Sequence, residues 1–144
     1  GWAHAPDAWP RLRTALTGTW HGTTDAGAEV DVTFQPIAGA SALAETFGRP
    51  GRTTMTLYHP DHDGLVATHY CAQGNQPRLR ATALDGTTLR FALADVTDLD
   101  PDEAHLVELT FTLGADAFDR VEDYRAPDGS HERTRWRFVR TAAE

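Results

Sequence analysis

From Thr17 onward the chain is cut into ten short runs of alternating apolar and polar residues, broken by Gly, Pro and Asp. They are Thr17–Thr23, Glu29–Gln35, Ser41–Phe47, Thr53–His59, Leu65–Ala72, Arg78–Ala83, Thr88–Ala94, His105–Leu113, Phe118–Arg125 and His131–Arg140. Alternation over such short stretches marks half-buried strands, and the connections are short enough for sequence neighbours to pair as hairpins. A sheet built this way has two unpaired edges unless it closes on itself. The reading is all-β: a single up-and-down antiparallel barrel of about eight to ten strands. Before it, Asp7 to Leu16 (DAWPRLRTAL) reads as a short helix with Asp7 at the N-cap and Trp9, Leu12 and Leu16 on one face. One further helical turn is expected around Asp98 to Glu103.

Turn chemistry sets the register. Pro127-Asp128-Gly129 suits a three-residue hairpin loop with Gly in the left-handed region. It places Asp123 opposite Arg133, Arg120 opposite Trp136, Asp119 opposite Arg137 and Phe118 opposite Phe138. Asp119, Val121, Asp123, Arg133, Arg135 and Arg137 then share the wet face, while Phe118, Arg120, Glu122, Tyr124, Thr134, Trp136 and Phe138 face inward. A two-residue turn at Asp128-Gly129 would instead pair Glu122 with Arg135 and lose that sorting of charge from aromatic. At Leu84-Asp85-Gly86 the same logic puts Leu79, Ala81, Leu89 and Phe91 on one face. A three-residue loop at His62-Asp63-Gly64 would set Leu57 opposite His69 and His59 opposite Ala67. Met55, Leu57, His59, Ala67, His69 and Cys71 then point inward, with Thr54, Thr56, Tyr58, Thr68 and Tyr70 outward.

Composition narrows the function classes. The 144 residues fit one domain, numbered here 1–144. All 13 cationic side chains are Arg and the net charge is −8, which disfavours nucleic acid and leaves no Lys for Schiff-base chemistry. No run approaches the roughly 20 apolar residues of a membrane helix, so no membrane partner is expected. Cys71 is the only cysteine, so an internal disulfide is impossible and a reducing, cytoplasmic compartment is permitted. The chain opens on Gly1 with no secretory leader, an expectation of a trimmed or mature start. Monomer and homodimer are both compatible with this composition.

Gly18-Thr19-Trp20 opens the first run, and Trp136-Arg137-Phe138-Val139-Arg140 closes the last. A Gly-x-Trp answered by an Arg of the final strand resembles the plug of calycin barrels, the lipocalins and fatty-acid-binding proteins, in which the Trp fills the floor and the Arg stacks on it while bonding nearby carbonyls. The order LTGTW, EVDVTFQPIAGASALAETF, MTLYHPDHDGLVATHYCAQGNQPRLRA and WRFVR, spread from Leu12 to Arg140, resembles bacterial calycin-like proteins of the DUF1579 kind. That resemblance implies a cup-shaped barrel with a cavity and names no reaction. A more distant likeness to nitrobindin implies haem held by one His, although no stretch matches its ligand motif residue by residue.

The inward-facing polar residues are the candidate site. Glu45 stands between Leu43 and Phe47, His59 and His69 lie on the next two runs, and Arg120, Glu122 and Tyr124 line the ninth. Leu43, Phe47, Met55, Leu57, Phe91, Phe118, Trp136 and Phe138 would form the wall. The resulting expectation is a small-molecule-binding barrel whose largely apolar ligand has one polar or acidic end, with Arg120 and Tyr124 suited to a carboxylate. One alternative is a cofactor-independent isomerase, cyclase or lyase using Glu45 or His69 as general acid or base. Another is an interaction module filled by its own side chains. No cofactor is required, haem standing as a further alternative. No metal centre is expected, because His59, His69 and Glu45 lack a close-spaced ligand motif. Cys71 lacks an oxyanion partner and reads as a small buried hydrophobe. Gly74-Asn75-Gln76-Pro77 reads as a tight turn, Asp61-His62-Asp63-Gly64 lacks the downstream Glu of a calcium loop, and His21, His105 and His131 sit near strand ends in solvent.

Overall fold

The computed structural model describes residues 7–82 and 86–141. Helix α1 (Ala8–Leu16) is followed by β1 (Gly18–Thr23), β2 (Glu29–Ile37), β3 (Ala42–Phe47), β4 (Thr54–Asp61) and β5 (Gly64–Tyr70). Then come β6 (Gln76–Thr82), β7 (Thr88–Thr97), β8 (His105–Leu113), β9 (Ala117–Arg125) and β10 (His131–Arg140). Each strand pairs antiparallel with its sequence neighbours, and β10 returns to β1, closing an up-and-down barrel of ten strands. No described helix is long and apolar enough to cross a membrane. Residues 98–103 form a turn, Glu103 N–H donating to the Asp100 carbonyl, in place of the expected helical turn.

One end of the barrel is plugged as the Gly-x-Trp motif implied. Trp20 is buried and its indole donates to the Leu16 carbonyl at 2.8 Å, which ties the floor to the C-terminus of α1. The Arg140 guanidinium carbon lies 4.3 Å from the Trp20 ring centre, and the two terminal nitrogens donate to the carbonyls of Thr17 (2.8 Å) and Ala15 (3.2 Å). Those carbonyls belong to the helix end and have no intrahelical donor, so the Arg serves as both cap and plug. Leu12 and Leu16 are fully buried, while the Trp9 indole and the Arg13 guanidinium reach the Ala40 carbonyl in the β2–β3 turn. Asp7 occupies the N-cap position but makes no side-chain cap bond.

Above the floor the interior is aromatic. Phe118 meets Trp20 edge-on at 4.8 Å and stacks on Phe138 at 4.7 Å, with Phe34, Phe91 and Phe111 filling the next level. Gly22 makes room for this stack, since a Cβ there would fall 2.5 Å from a Phe138 ring carbon.

The β9–β10 register is the one the three-residue loop dictates: Asp123 faces Arg133, Arg120 faces Trp136 and Phe118 faces Phe138. Gly129 takes φ of +87° and Ala126 N–H donates to the Ser130 carbonyl. Outside, Asp119 binds both Arg135 (3.0 Å) and Arg137 (2.9 Å), while Asp123 binds His131 (2.9 Å) and Arg133 (3.3 Å). Leu79, Ala81, Leu89 and Phe91 are all buried, although Leu84 and Asp85 of their turn lie outside the described residues.

The β4–β5 hairpin corrects the sequence reading. Its turn contains two residues, His62 and Asp63, with Asp61 opposite Gly64, Tyr58 opposite Ala67 and Thr56 opposite His69. His62 adopts φ of +55° to make that turn. A one-residue change in loop length moves every side chain of one strand to the other face. Thr56 and Tyr58 are therefore buried, whereas Met55 and His59 are exposed and Leu57 shares their outward face. On β5 Leu65, Ala67 and His69 are buried on one face, and the inward reading of Ala67 and His69 stands.

Candidate ligand site

Register brings Phe34, Glu45, Thr56 and His69 side by side along one level of β2 to β5. Across the interior, Phe111, Arg120 and Trp136 form the facing row on β8 to β10. Arg120 bridges the two rows: one of its terminal nitrogens donates to Glu45 Oε1 at 2.7 Å, while Nε (3.1 Å) and the other terminal nitrogen (2.8 Å) donate to Glu122 Oε2. Glu45 Oε1 also accepts from the Tyr58 hydroxyl at 2.6 Å, and Glu122 Oε1 accepts from the Trp136 indole at 3.2 Å. The guanidinium lies among the rings of Phe138 (5.3 Å), Phe111 (5.5 Å) and Phe47 (6.0 Å). Glu45 and Arg120 are each 2% exposed, so these charges are sealed from bulk water.

Burial works against the charge of Arg120, but Glu45 and Glu122 outweigh it and hold the guanidinium firmly protonated. Burial pushes the Glu122 carboxyl above its ordinary value; Arg120 opposes that rise and the like charge of Glu45 adds to it. The Tyr58 hydroxyl is driven well above the usual phenol range by burial and by Glu45, so it remains a donor. His69 moves the other way. Burial pulls it down to about 4, with Glu45 opposing and Arg120 reinforcing, so the imidazole is neutral at physiological pH. Its Nδ1 shares a proton with the Thr56 hydroxyl at 2.9 Å, and its Nε2 lies 3.4 Å from the Tyr124 hydroxyl. Tyr124 is raised by burial first and by Glu122 second.

These groups surround a cavity of about 30 Å³ lined by Glu45, Phe47, Thr54, Thr56, His69 and Glu122, with Leu106, Leu109, Arg120 and Tyr124 completing the wall. Phe47, Thr54, Leu106 and Tyr124 sit at or near the strand ends remote from α1, so the cavity lies toward the unplugged end. At the same end the β5–β6 and β7–β8 connections are held together: the buried Asn75 amide donates to Glu103 (3.1 Å) and to the Ala104 carbonyl (3.1 Å), and Ala104 N–H donates to Gln73. Gln73 and Asn75 thus do more than turn the chain.

Of the sequence candidates, Glu45, His69, Arg120, Glu122 and Tyr124 share this cavity, with Phe47 beside them. Trp136 supports it through Glu122, and Phe138 packs on Arg120 from the aromatic layer. Leu43, Phe91 and Phe118 are buried in the packed core and do not line the cavity. Met55, Leu57 and His59 belong to the outer face of β4; the His59 ring contacts the Pro60 carbonyl instead. Thr54, Thr56 and Tyr58, placed outside by sequence, are the missed members, the two threonines on the cavity wall and Tyr58 beneath it, and an inward Tyr58 donor is what the buried Glu45 carboxylate requires. Cys71 is half-buried just beyond β5. A haem does not fit as the residues stand: ligand pockets for molecules of that class run to about 300 Å³ or more, and the lining imidazole already has contacts at both nitrogens.

The structure is similar over almost its whole length to the crystal structure of Rv2717c from M. tuberculosis, with a TM-score of 0.64, 18% identity, and coverage of 96% of this chain and 99% of that one. At that identity the likeness shows the fold alone. No family model matches the sequence. No curated protein matches it either.

Proposed function

We propose that the barrel binds a small molecule at its unplugged end, with a polar head beside Glu45, Glu122, His69 and Tyr124 and an apolar body against Phe47, Leu106 and Leu109. The observation that carries this reading is a polar-lined cavity set on a charge cluster, with Glu45 and Arg120 sealed from water and Glu122 only slightly exposed, in an otherwise apolar interior. Burying three ionised groups costs several kcal/mol, of order, even when they are paired. A barrel that needed only a filled core would be served by apolar side chains, so the cluster favours binding over a purely structural role.

The same geometry argues against an acidic head. Arg120 already engages both carboxylates and leaves little attraction for a third. Proton-transfer chemistry is also less well served, because a His69 held at about 4 is a weak base and Glu45 is held by Arg120 and Tyr58. The calycin resemblance fits this reading, since such barrels hold ligands inside.

Leu109→Phe tests it by filling the cavity from β8. The Trp136 indole N–H resonance of the parent chain, which reports on Glu122, is expected to shift saturably with a panel of short-chain fragments whose polar heads are near the size of one water, as the cavity admits. The folded Leu109→Phe chain is expected to lose those shifts. A panel that moves no cavity resonance in the parent chain contradicts the reading.

A further inference from the structure

We infer that the head group this cavity accepts is a primary ammonium, carried on a short apolar chain. The inference rests on the binding reading above and adds the ligand class.

Charge comes first. Glu45 and Glu122 bring two carboxylates against the single guanidinium of Arg120, so the ionised cluster carries one uncompensated negative charge inside the barrel. His69 is the remaining basic group on the cavity wall and is held neutral, and Tyr58 and Tyr124 keep their protons. A cation in the cavity completes the charge balance, whereas an anion would meet two buried carboxylates with their only counter-charge already taken.

Hydrogen-bond capacity points the same way. A carboxylate has about four acceptor sites. Among the described residues, Glu45 Oε2 receives no hydrogen bond, since Tyr58 and Arg120 both donate to Oε1. Glu122 Oε1 accepts only the Trp136 indole. The two carboxylates thus offer spare acceptors, which suits the three N–H bonds of an ammonium.

Size and lining select among cations. A cavity of about 30 Å³ takes one –NH3+ head and excludes the methyl-covered head of a quaternary ammonium, so the attached chain has to leave through the mouth. Phe47, Leu106 and Leu109 provide the apolar surface for the attached chain, and the Phe47 ring adds a cation-attracting face near the mouth.

Titration calorimetry on the full chain at pH 7 with n-butylammonium, tetramethylammonium, butanoate and n-butanol tests the assignment. Butylammonium is expected to bind at least about tenfold more tightly than butanol, with tetramethylammonium and butanoate giving no saturable heat. Glu45→Gln and Glu122→Gln each remove the net negative charge with little change of shape, and each is expected to weaken butylammonium by about tenfold or more and butanol by clearly less. If a Gln variant does not fold, the ranking of the four probes on the parent chain decides. Butanol or butanoate binding as tightly as the amine overturns the ammonium assignment and leaves the binding reading standing. An absence of saturable heat and of any Trp136 indole shift with all four probes overturns both.

Discussion

Arg120 is the residue on which the interior depends. It is fully buried, draws Glu45 on β3 and Glu122 on β9 to one point, and is surrounded by Phe47, Phe111 and Phe138. Arg120→Met leaves two carboxylates facing each other in a closed space, and urea unfolding is expected to show a loss of about 3–5 kcal/mol, the cost of breaking a buried pair from one side. His69 and Glu122 bend the pH dependence of stability in opposite directions. His69 has a folded value near 4 against 6.5 unfolded, so the unfolded chain takes up its proton first as pH falls. Stability from this group is complete above pH 6.5 and declines toward pH 4 by about 3 kcal/mol. Glu122 is raised on folding, so its contribution is fully present below the unfolded carboxyl range and is lost as pH rises through its folded value. A His69→Gln chain, followed by thermal unfolding, is expected to lose the decline between pH 6.5 and 4; an unchanged slope would mean that His69 is not held neutral.

Among the elements, hairpins decide which side chains enter the barrel. The β9–β10 register was legible because Pro127-Asp128-Gly129 fixes the loop and because charge and aromatic residues separate cleanly between its two faces. Arg120 and Glu122 could therefore be placed inside from sequence, and Glu45 from the alternation with Leu43 and Phe47 on β3. The β4 face was not legible: Met55, Leu57 and His59 look no less apolar than Thr54, Thr56 and Tyr58, and the turn carries a non-Gly residue at positive φ where composition favoured a longer loop. The deciding contact, Tyr58 to Glu45, joins two strands and is invisible to alternation within either one. Replacing His62 by Gly should relieve its left-handed backbone and stabilise the chain by about 1 kcal/mol. A destabilised His62→Gly chain would contradict the two-residue turn. Gly22→Ala, in contrast, drives a methyl into the Phe138 ring and is expected to lower the denaturation midpoint by the equivalent of about 1–3 kcal/mol.

At the level of the whole molecule, the two ends of the barrel differ. Trp20, Arg140 and the C-terminus of α1 close one end with stacked rings and capped carbonyls, whereas the other keeps a small polar cavity and two connections clamped together by Asn75. Arg140→Ala removes two bonds to helix carbonyls and the cover on Trp20; calorimetry is expected to show a loss of about 2 kcal/mol without changing ligand binding at the far end. Native mass spectrometry of the chain purified from its own host, with the Leu109→Phe chain purified in parallel, tests the central claim most directly. The binding reading predicts a small molecule that travels with the parent barrel, is released on acid denaturation and is missing from Leu109→Phe. A parent chain that emerges bare and stays bare when mixed with butylammonium, butanol and butanoate would contradict it.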